Sequence, residues 1–135
     1  MKYNFTIINF KNSQKIYTKN NYKIVEYYNP NNILSKRIQY DKFERIVDCE
    51  NFDTNGNVID HQHKEYYETK TEKGIIETYK SNTQEYIRKS YIKFIAGFKH
   101  SIEEFISKSS PENSYKNVFI YDLKDKLIDF CSKKI

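Results

Sequence analysis

Two histidines separated by one residue, His61 and His63, come nearest to a chemical site in this 135-residue chain. Alternate residues of a β-strand project from the same side, so both imidazoles would form a row with Glu65 or Tyr67. Such a row could bind zinc or act as acid and base. No second cluster supplies a third ligand, because His100 belongs to a segment of different pattern. We therefore expect a solvent-facing pair and no metal or cofactor, with zinc on His61 and His63 as the minor alternative.

Motifs typical of enzymes are missing from the sequence. It contains no glycine-rich phosphate loop, no nucleophile elbow, no Walker-type lysine motif and no cysteine–histidine pairing at a known spacing. With only 3 glycines, tight backbone cradles for phosphate are scarce. The sequence therefore favours a protein that is not an enzyme.

Residues 1–25 carry five lysines and no acidic residue. Aromatic residues lie between these lysines, and that combination suits phosphate contact together with base stacking. A solvated edge hairpin, whose lysines discourage aggregation between sheets, explains the same pattern and is the interpretation we favour. The nucleic-acid interpretation involves Lys2, Lys11, Lys15, Lys19, Lys23, Tyr17 and Tyr22.

A change in apolar periodicity near Asn82 sets the expected fold. Apolar residues recur at about every second position before it and at every third or fourth position after it. The first pattern is typical of strands and the second of amphipathic helices. We predict an α+β fold, in which an N-terminal antiparallel β-meander of about 6–8 short strands packs against two C-terminal antiparallel helices. The clearest expected strands are 22–28, 33–40, 43–52, 58–67 and 75–79.

Turn chemistry separates these expected strands. Asn55-Gly56 is the strongest signal, because a type I′ turn needs positive φ at both central residues and this pair tolerates it. Weaker signals of the same kind mark other turns. They lie at Lys11-Asn12-Ser13, Lys19-Asn20-Asn21, Asn29-Pro30-Asn31-Asn32, Asp41-Lys42 and Lys73-Gly74.

The first expected helix spans residues 83–107. Asn82-Thr83-Gln84-Glu85 has the form of a capping box, in which a side chain at each end satisfies free backbone amides. Gly97 interrupts the helix at a cost of roughly 1 kcal/mol, and we continue the helix through it. Its apolar stripe consists of Ile87, Tyr91, Phe94, Ile95, Phe98, Ile102, Phe105 and Ile106.

The second expected helix spans residues 111–133. Ser110-Pro111-Glu112 fits an N-cap followed by proline at the first helical position. Apolar residues then recur four apart, although the short run 118–121 could instead be a buried strand. The recurring residues are Tyr115, Phe119, Leu123, Leu127 and Cys131. The two helices would cover one face of the sheet in a single domain, with the meander at 1–81 and the helical hairpin at 82–135.

Composition points to an intracellular chain. The net charge is +5, and Cys49 and Cys131 lack metal-like spacing, so we expect both thiols to be reduced. No apolar run approaches the ~20 residues that span a bilayer. Residues 1–10 alternate polar and apolar side chains and so predict a strand rather than a signal peptide. We expect a cytoplasmic protein with no membrane association.

A weak internal repeat accompanies the turns. Residues 23–26 (KIVE) match residues 45–48 (RIVD), and Asn31-Asn32 and Asn55-Gly56 both precede aliphatic pairs. In this respect residues 22–76, less than half of the chain, resemble the tyrosine-rich hairpin repeats of YwqK-type antitoxins, which have a YxxNGxxI-like form. The resemblance implies a binding surface built from adjacent hairpins and carries over no functional residue.

The function that we expect is that of a small binding protein. It would neutralise a larger protein partner, as immunity proteins, antitoxins and phage-encoded inhibitors of bacterial defence do, and that class of partner includes effectors that handle nucleic acid. Mimicry of DNA is disfavoured because the chain is basic, and direct binding of RNA or single-stranded DNA is the alternative. Tyrosine and arginine anchor many interfaces. The expected contact residues are Tyr27, Tyr28, Arg37, Tyr40, Arg45, Tyr66, Tyr67 and Tyr79.

Overall fold

The structure, a computed structural model, describes residues 4–6 and 13–135. Within them almost all regular structure is antiparallel β-sheet, and the order of the strands in the sheet follows the chain. The strands are β1 Asn4–Thr6, β2 Gln14–Lys19, β3 Tyr22–Tyr28, β4 Leu34–Tyr40, β5 Ile46–Phe52, β6 Val58–Glu68, β7 Glu72–Ser81, β8 Glu85–Ile95, β9 Phe98–Ser107, β10 Tyr115–Tyr121 and β11 Leu127–Lys134. The chain divides into two compact units, residues 1–63 and 64–135, and the division falls within β6.

The two helices expected at 83–107 and 111–133 are wrong, and with them the α+β class. The first segment forms the β8–β9 hairpin and the second forms the β10–β11 hairpin. The helical structure among the described residues is one short 3-10 turn, Pro111–Asn113, which begins at the expected proline and ends after three residues. In the part of the chain that the structure describes, no helix has the length and apolar character needed to cross a bilayer.

The apolar spacing of residues 85–107 was misleading because an interval of four residues fits a strand as well as a helix. Ile87 and Tyr91 are four apart and lie on one face of β8, since every second residue of a strand does so. β-branched and aromatic residues make up about half of β8, which favours the extended chain. Ala96 and Gly97 adopt φ of 52° and 83°, as a two-residue hairpin turn requires. The glycine through which we continued a helix therefore reverses the chain.

The expected capping box is also a hairpin turn. The Ser81 hydroxyl oxygen accepts hydrogen bonds from the backbone N–H groups of Thr83 and Gln84 at 3.3 and 3.1 Å. The Ser81 N–H donates to the Gln84 carbonyl at 2.8 Å, which closes the turn between β7 and β8. Polar residues that satisfy free amides at a helix start do the same in a turn, so the pattern does not distinguish the two.

Most strands of the first half were predicted well. The strand expected at 22–28 is β3, and those expected at 33–40 and 58–67 differ from β4 and β6 by one residue at one end. The turns at Asn20-Asn21, Asn29–Asn32 and Asp41-Lys42 are also present. The turn at Lys73-Gly74 is wrong, because both residues lie inside β7. Of residues 1–13, only β1 and Ser13 lie within the described residues.

Within the described residues, a turn of one kind occurs four times. In each, the side-chain oxygen of an Asn or Asp accepts hydrogen bonds from the backbone N–H groups two and four residues later. The fourth residue of each turn has positive φ, between 59° and 84°. These turns begin at Asn29, Asp41, Asp53 and Asp122. Asn55-Gly56 therefore forms a five-residue loop with positive φ at Gly56, and not the expected type I′ turn.

The residues that flank this turn are also repeated. An aromatic residue precedes the Asn or Asp, and an aliphatic residue five positions after the Asn or Asp pairs with that aromatic residue across a bulge. The pairs are Tyr28 with Leu34, Tyr40 with Ile46, Phe52 with Val58, and Tyr121 with Leu127. The first three turns begin twelve residues apart, so one turn and one strand form the repeating unit.

Each unit has its own small core. In residues 1–63, Val25 on β3 lies directly opposite Ile38 on β4, and both are buried. Ile24 is also buried and projects from the other face of β3. In residues 64–135, Tyr91 on β8 lies opposite Ile102 on β9, and both are buried. Among the described residues these five are the buried apolar side chains, so the strands keep most of their other apolar groups partly in solvent.

Candidate protein-binding surface

Four aromatic rings form a ladder across residues 64–135. Tyr79 stacks on Tyr86 with ring centroids 5.1 Å apart, Tyr86 contacts Phe105 at 5.1 Å, and Phe105 stacks on Tyr115 at 5.2 Å. The strand register causes this, because Tyr79 is paired with Tyr86 and Phe105 with Tyr115, while Tyr86 and Phe105 are diagonal neighbours. Cross-strand aromatic pairs of this kind stabilise a sheet. We call the side of the sheet that bears these four rings the ladder face.

Charged side chains hold the ladder in place. The Tyr86 hydroxyl donates to Glu77 at 2.9 Å, and the Tyr115 hydroxyl donates to Glu103 at 2.8 Å. The Arg88 guanidinium lies 5.4 Å from the centre of the Tyr86 ring, and its Nε is 3.7 Å from a Glu103 oxygen. Desolvation and the bond to Glu77 raise the pKa of Tyr86, whereas the bond to Glu103 is the main cause of the raised pKa of Tyr115. Both tyrosines therefore remain protonated donors at neutral pH.

Exposed apolar residues continue along the ladder face beyond the rings. Ile92 and Phe94 follow Tyr86 at alternate positions of β8 and are 41% and 66% exposed. Ile92 lies opposite Ser101, Ser101 opposite Phe119, and Phe119 opposite Phe130, with the two phenylalanine rings 4.8 Å apart. The small side chain of Ser101 leaves this row open at its middle. We call the set Ile75, Ile92, Phe94, Phe119 and Phe130 the apolar patch.

Lysines border the apolar patch. Lys73 pairs with Ile92 across the β7–β8 ladder, and Lys99 pairs with Phe94 across β8–β9. Lys99 also lies 4.8 Å from the centre of the Tyr121 ring and 3.2 Å from an Asp125 oxygen. The glutamates of this face, Glu77 and Glu103, accept the tyrosine hydroxyls described above. The patch is therefore an apolar centre with cationic groups at its edge.

The opposite side of residues 64–135 is held by an internal polar network. The Tyr67 hydroxyl donates to Glu72 at 2.9 Å, and Lys89 Nζ is 3.6 Å from the same carboxylate oxygen. Lys89 also lies 4.6 Å from the centre of the Tyr91 ring, and the Tyr91 hydroxyl donates to Glu104 at 2.9 Å. These groups satisfy one another around the buried core. We take the ladder face as the candidate interface because it carries the row formed by Ile92, Phe94 and the Phe119–Phe130 ring pair.

His61 and His63 lie on one face of β6, as the spacing predicts, and both contact Asp48 of β5. His61 Nε2 bonds one Asp48 oxygen, and His63 Nδ1 lies 3.2 Å from the other. One carboxylate therefore orients two imidazoles. Within the described residues, no three His, Cys, Asp or Glu side chains are grouped so as to hold a metal ion. The arrangement accounts for the two histidines as a hydrogen-bonded cluster around Asp48 on the strand surface.

The residues expected to contact a partner do not form one surface. Tyr27 and Tyr40 project from one side of β3 and β4, whereas Arg37 projects from the other, where its Nε donates to Glu26 at 3.0 Å. Tyr28, beside a bulge, also bonds Glu26, and Arg45 is held in a turn by Asp41. Tyr66 and Tyr67 are adjacent on β6 and so project from opposite sides, with Tyr67 in the internal network. Tyr79 alone of these belongs to the aromatic ladder.

The lysines and tyrosines of the nucleic-acid alternative are partly grouped. Lys15, Tyr17 and Lys19 alternate along β2 and share a face with Tyr22. Lys23 projects from the other face, where its Nζ lies 5.0 Å from the centre of the Tyr40 ring. Lys2 and Lys11 lie outside the described residues.

The sequence reasoning missed the apolar patch. Phe94, Phe119 and Phe130 were assigned to the apolar stripes of the expected helices, and Ile92 lay within the first expected helix but outside its stripe. The alternation Tyr86, Arg88, Ser90, Ile92, Phe94 before Ala96-Gly97 was the available signal, because it has the period of a strand and ends at a turn-forming pair.

Comparison with known proteins gave no match to a protein-family model, to a curated protein or to a solved structure.

Proposed function

We propose that this chain is a non-enzymatic binding protein that docks on a larger protein through the ladder face of residues 64–135 and neutralises it. The observation that carries the proposal is the apolar patch, in which exposed Ile92 and Phe94 lie beside the Phe119–Phe130 ring pair on one face. Contiguous exposed apolar groups with a polar rim mark interaction sites on protein surfaces. Aromatic residues that are held in place, as the ladder is, bind at a low cost in conformational entropy.

The charge around the patch indicates the chemistry of the partner. Lys73 and Lys99 border the apolar centre, and the nearby Glu77 and Glu103 are engaged by tyrosine hydroxyls. The chain as a whole carries a net charge of +5. A partner surface with an apolar centre and acidic residues around it would match in both respects, and charge complementarity of this kind speeds association.

The recurring turn supports the antitoxin interpretation. The form YxxNGxxI of the YwqK-type hairpin repeats places an aromatic residue before a turn and an aliphatic residue after it. Phe52-Asp53-Thr54-Asn55-Gly56-Asn57-Val58 has this order, and the turns at Asn29, Asp41 and Asp122 have the same hydrogen bonds with other residues at the NG positions. We propose on this basis that the chain is built from repeats of that kind and acts inside the cell.

The proposal is tested by identifying the partner and then perturbing the patch. The tagged protein is purified from cells that naturally express it, and a stoichiometric partner is identified by mass spectrometry and then purified. Titration of that partner should give a dissociation constant that rises about tenfold or more in the Ile92→Ala/Phe94→Ala variant. In cells that produce the partner, the wild-type chain should suppress its effect and the double variant should not.

A matched control separates the patch from exposed aromatic surface in general. Phe43 is 65% exposed, nearly the same as Phe94, but lies in a turn of residues 1–63. The Phe43→Ala variant should bind as the wild type does. Recovery of the protein without a partner would contradict the proposed function, and equal loss of affinity in both variants would show that the ladder face is not the interface.

A second candidate function, binding of single-stranded nucleic acid, is favoured by one observation. Lys15, Tyr17, Lys19 and Tyr22 share one face, and Lys15 Nζ lies 5.5 Å from the centre of the Tyr17 ring. A gel-shift titration with RNA and DNA oligonucleotides should then show an affinity that falls steeply as salt rises, and a weaker one in Lys15→Ala/Lys19→Ala. Absence of retention at low salt would eliminate this candidate.

A further inference from the structure

Strand β11 has an open edge that faces away from β10. Its one ladder partner among the described residues is β10, and all eight of its residues, Leu127–Lys134, are exposed. An exposed strand edge is a template for pairing with another chain. Natural edges are often blocked by proline or by an inward-pointing charge, and β11 contains no proline.

The hydrogen bonds between β10 and β11 determine which residues of β11 direct their backbone groups toward the open edge. The Ile135 N–H donates to the Ser114 carbonyl at 3.2 Å, so Ile135 turns its backbone groups toward β10. In an antiparallel ladder the direction alternates, so Lys133 and Cys131 also face β10. Phe130, Ser132 and Lys134 then direct their N–H and C=O groups to the open edge.

The Phe130 N–H confirms this assignment. It donates to a carboxylate oxygen of the preceding residue, Asp129, at 2.8 Å. A backbone N–H that faced β10 would be part of the ladder, whereas this one is satisfied by the nearest available side chain. The Asp129 carboxylate therefore occupies the place where an added strand would offer a carbonyl group.

We propose that a second copy of this chain pairs with β11, antiparallel and centred on Cys131. In this register Phe130 of each copy exchanges two backbone hydrogen bonds with Ser132 of the other. The Ser132 carbonyl thereby replaces the Asp129 carboxylate as the acceptor of the Phe130 N–H and frees that carboxylate. Asp129 lies opposite Lys133 on both sides of the centre, so two ion pairs form where the isolated strand has none of that kind. The sequence Asp129-Phe130-Cys131-Ser132-Lys133 is self-complementary in charge about its middle residue. A two-fold symmetric interface requires such self-complementarity.

The same register places the two Cys131 residues directly opposite each other. Because Cys131 turns its backbone groups toward β10, the facing pair is a non-hydrogen-bonded one, with Cα atoms about 4.5 Å apart. That separation lies within the range that a disulfide spans. Both thiols are free in the single chain, and Cys131 is exposed while Cys49 is half-buried. Cys131 is therefore a reporter of the register.

Sedimentation velocity measures the pairing. An edge of eight residues buries less than the roughly 1,200 Å² of a standard interface, so we expect a weak dimer with a dissociation constant in the micromolar range. The protein is therefore measured at concentrations of about 1–300 µM. Asp129→Lys places like charges opposite each other and should raise the dissociation constant about tenfold or more. The exchanged variant Asp129→Lys/Lys133→Asp restores opposite charges and should return it to near the wild-type value. Circular dichroism verifies that each variant is folded.

Disulfide trapping then tests the register. Diamide, which accepts the two thiol hydrogens, should convert the Cys49→Ser variant to a covalent dimer and leave Cys131→Ser monomeric. Adding Asp129→Lys to Cys49→Ser should slow the trapping, and adding the charge exchange should restore it. A protein that stays monomeric throughout the concentration range would overturn the proposal, as would a dimer that Asp129→Lys does not weaken or trapping that the charge changes do not affect.

Discussion

The Tyr67 hydroxyl oxygen lies 2.9 Å from the position that a Cβ atom would occupy on Gly74. The same position is 2.6 Å from the Ser90 carbonyl oxygen and 2.6 Å from the Tyr91 Cβ atom. Glycine inside a strand usually weakens it, but here it leaves room for an aromatic side chain from the preceding strand. Gly74 thereby allows Tyr67 to reach Glu72 and join the network around the core.

Gly74→Ala should therefore destabilise the protein. The methyl group would meet a backbone oxygen that cannot move without distorting β8, so we expect a loss of about 1–3 kcal/mol in the free energy of unfolding. Urea denaturation followed by circular dichroism measures it. Thr78→Ala, an exposed change on the same strand, is the control and should stay within about 0.5 kcal/mol of the wild type. A Gly74→Ala variant as stable as that control would contradict the close contact.

The Tyr67–Glu72 bond predicts a dependence of stability on alkaline pH. Desolvation and the hydrogen bond to Glu72 raise the pKa of Tyr67 to about 12. A group whose pKa is higher in the folded state stabilises the fold fully below the unfolded pKa of about 10, and that contribution is lost as pH rises through the folded pKa. The wild type should therefore lose stability between about pH 10 and 12, and Tyr67→Phe should lose less over the same window.

Glu72→Gln is the matched change for that experiment. It removes the carboxylate charge that raises the pKa of Tyr67 and keeps a hydrogen-bond acceptor in place. Absorbance at 295 nm should show tyrosine ionising at lower pH in this variant than in the wild type, chiefly at Tyr67, since Glu72 contributes less to the raised pKa of Tyr91. If the alkaline titration curves of the two proteins coincide, the hydroxyl is not bonded to Glu72 in solution.

The lowered pKa of Asp41 predicts that stability falls as the pH is lowered, the opposite direction to the effect of Tyr67. Desolvation acts to raise the pKa of Asp41, but hydrogen bonds from the Arg45 and Phe43 backbone N–H groups and the Arg45 side chain outweigh it and lower the pKa. A carboxyl group whose pKa is lowered in the folded state stabilises the fold fully at pH above its unfolded pKa of about 3.9. That stabilisation is lost as the pH falls through the pKa of the folded state.

Asp41→Asn separates that charge effect from the turn geometry. Asn29 accepts the equivalent two backbone hydrogen bonds with an amide oxygen, so Asp41→Asn should keep the turn and lose part of the acid dependence. Asp41→Ala should lose both. The checks are an NMR titration of the Asp41 carboxyl group and acid unfolding of the three proteins, and an Asp41 midpoint at or above the ordinary value would refute the assigned bonds.

The sequence predicts the fold of the first half of the chain better than that of the second half, and the reason is physical. In residues 13–68 the turns use Asn, Asp and Gly at fixed places, and their local hydrogen bonds set the strand ends. For this reason β3, β4 and β6 were predicted closely, whereas β5 begins three residues after the expected start. In residues 82–135 the secondary structure is decided by pairing between strands. The spacing of Ile87 and Tyr91 fits a helix and a strand equally well. Pairing with Ile106 and Ile102 on β9 selects the strand, and an analysis of apolar periodicity carries no information about such pairing.

The candidate surface depended on the same choice. Phe94 and Ile92 are only two residues apart, which places them on the same face of a strand but on different faces of a helix. Once residues 85–107 were taken as a helix, the exposed patch could not be found. The twelve-residue spacing of Asn29, Asp41 and Asp53 was visible in the sequence, but its meaning required the turn bonds.

The ion pairs around Arg37 supply the last prediction. Glu26 is 5% exposed, and its Oε2 accepts a bond from Arg37 Nε at 3.0 Å, while Arg37 Nη1 lies 3.5 Å from Glu50. Arg37→Met keeps the apolar stem and leaves a buried carboxylate without this cation. Breaking a fully buried pair costs about 3–5 kcal/mol, but the Arg37 side chain is 37% exposed, so we expect a loss of about 1–3 kcal/mol in unfolding free energy.

Arg45→Met removes an arginine from an exposed pair with Asp41 and should cost less. Adding Glu26→Gln to Arg37→Met removes the uncompensated charge and should recover much of the loss, because the penalty belongs to that charge. Urea denaturation of the wild type, Arg37→Met, Glu26→Gln and the double variant measures the coupling, and additive losses in the double variant would show that the two side chains do not interact.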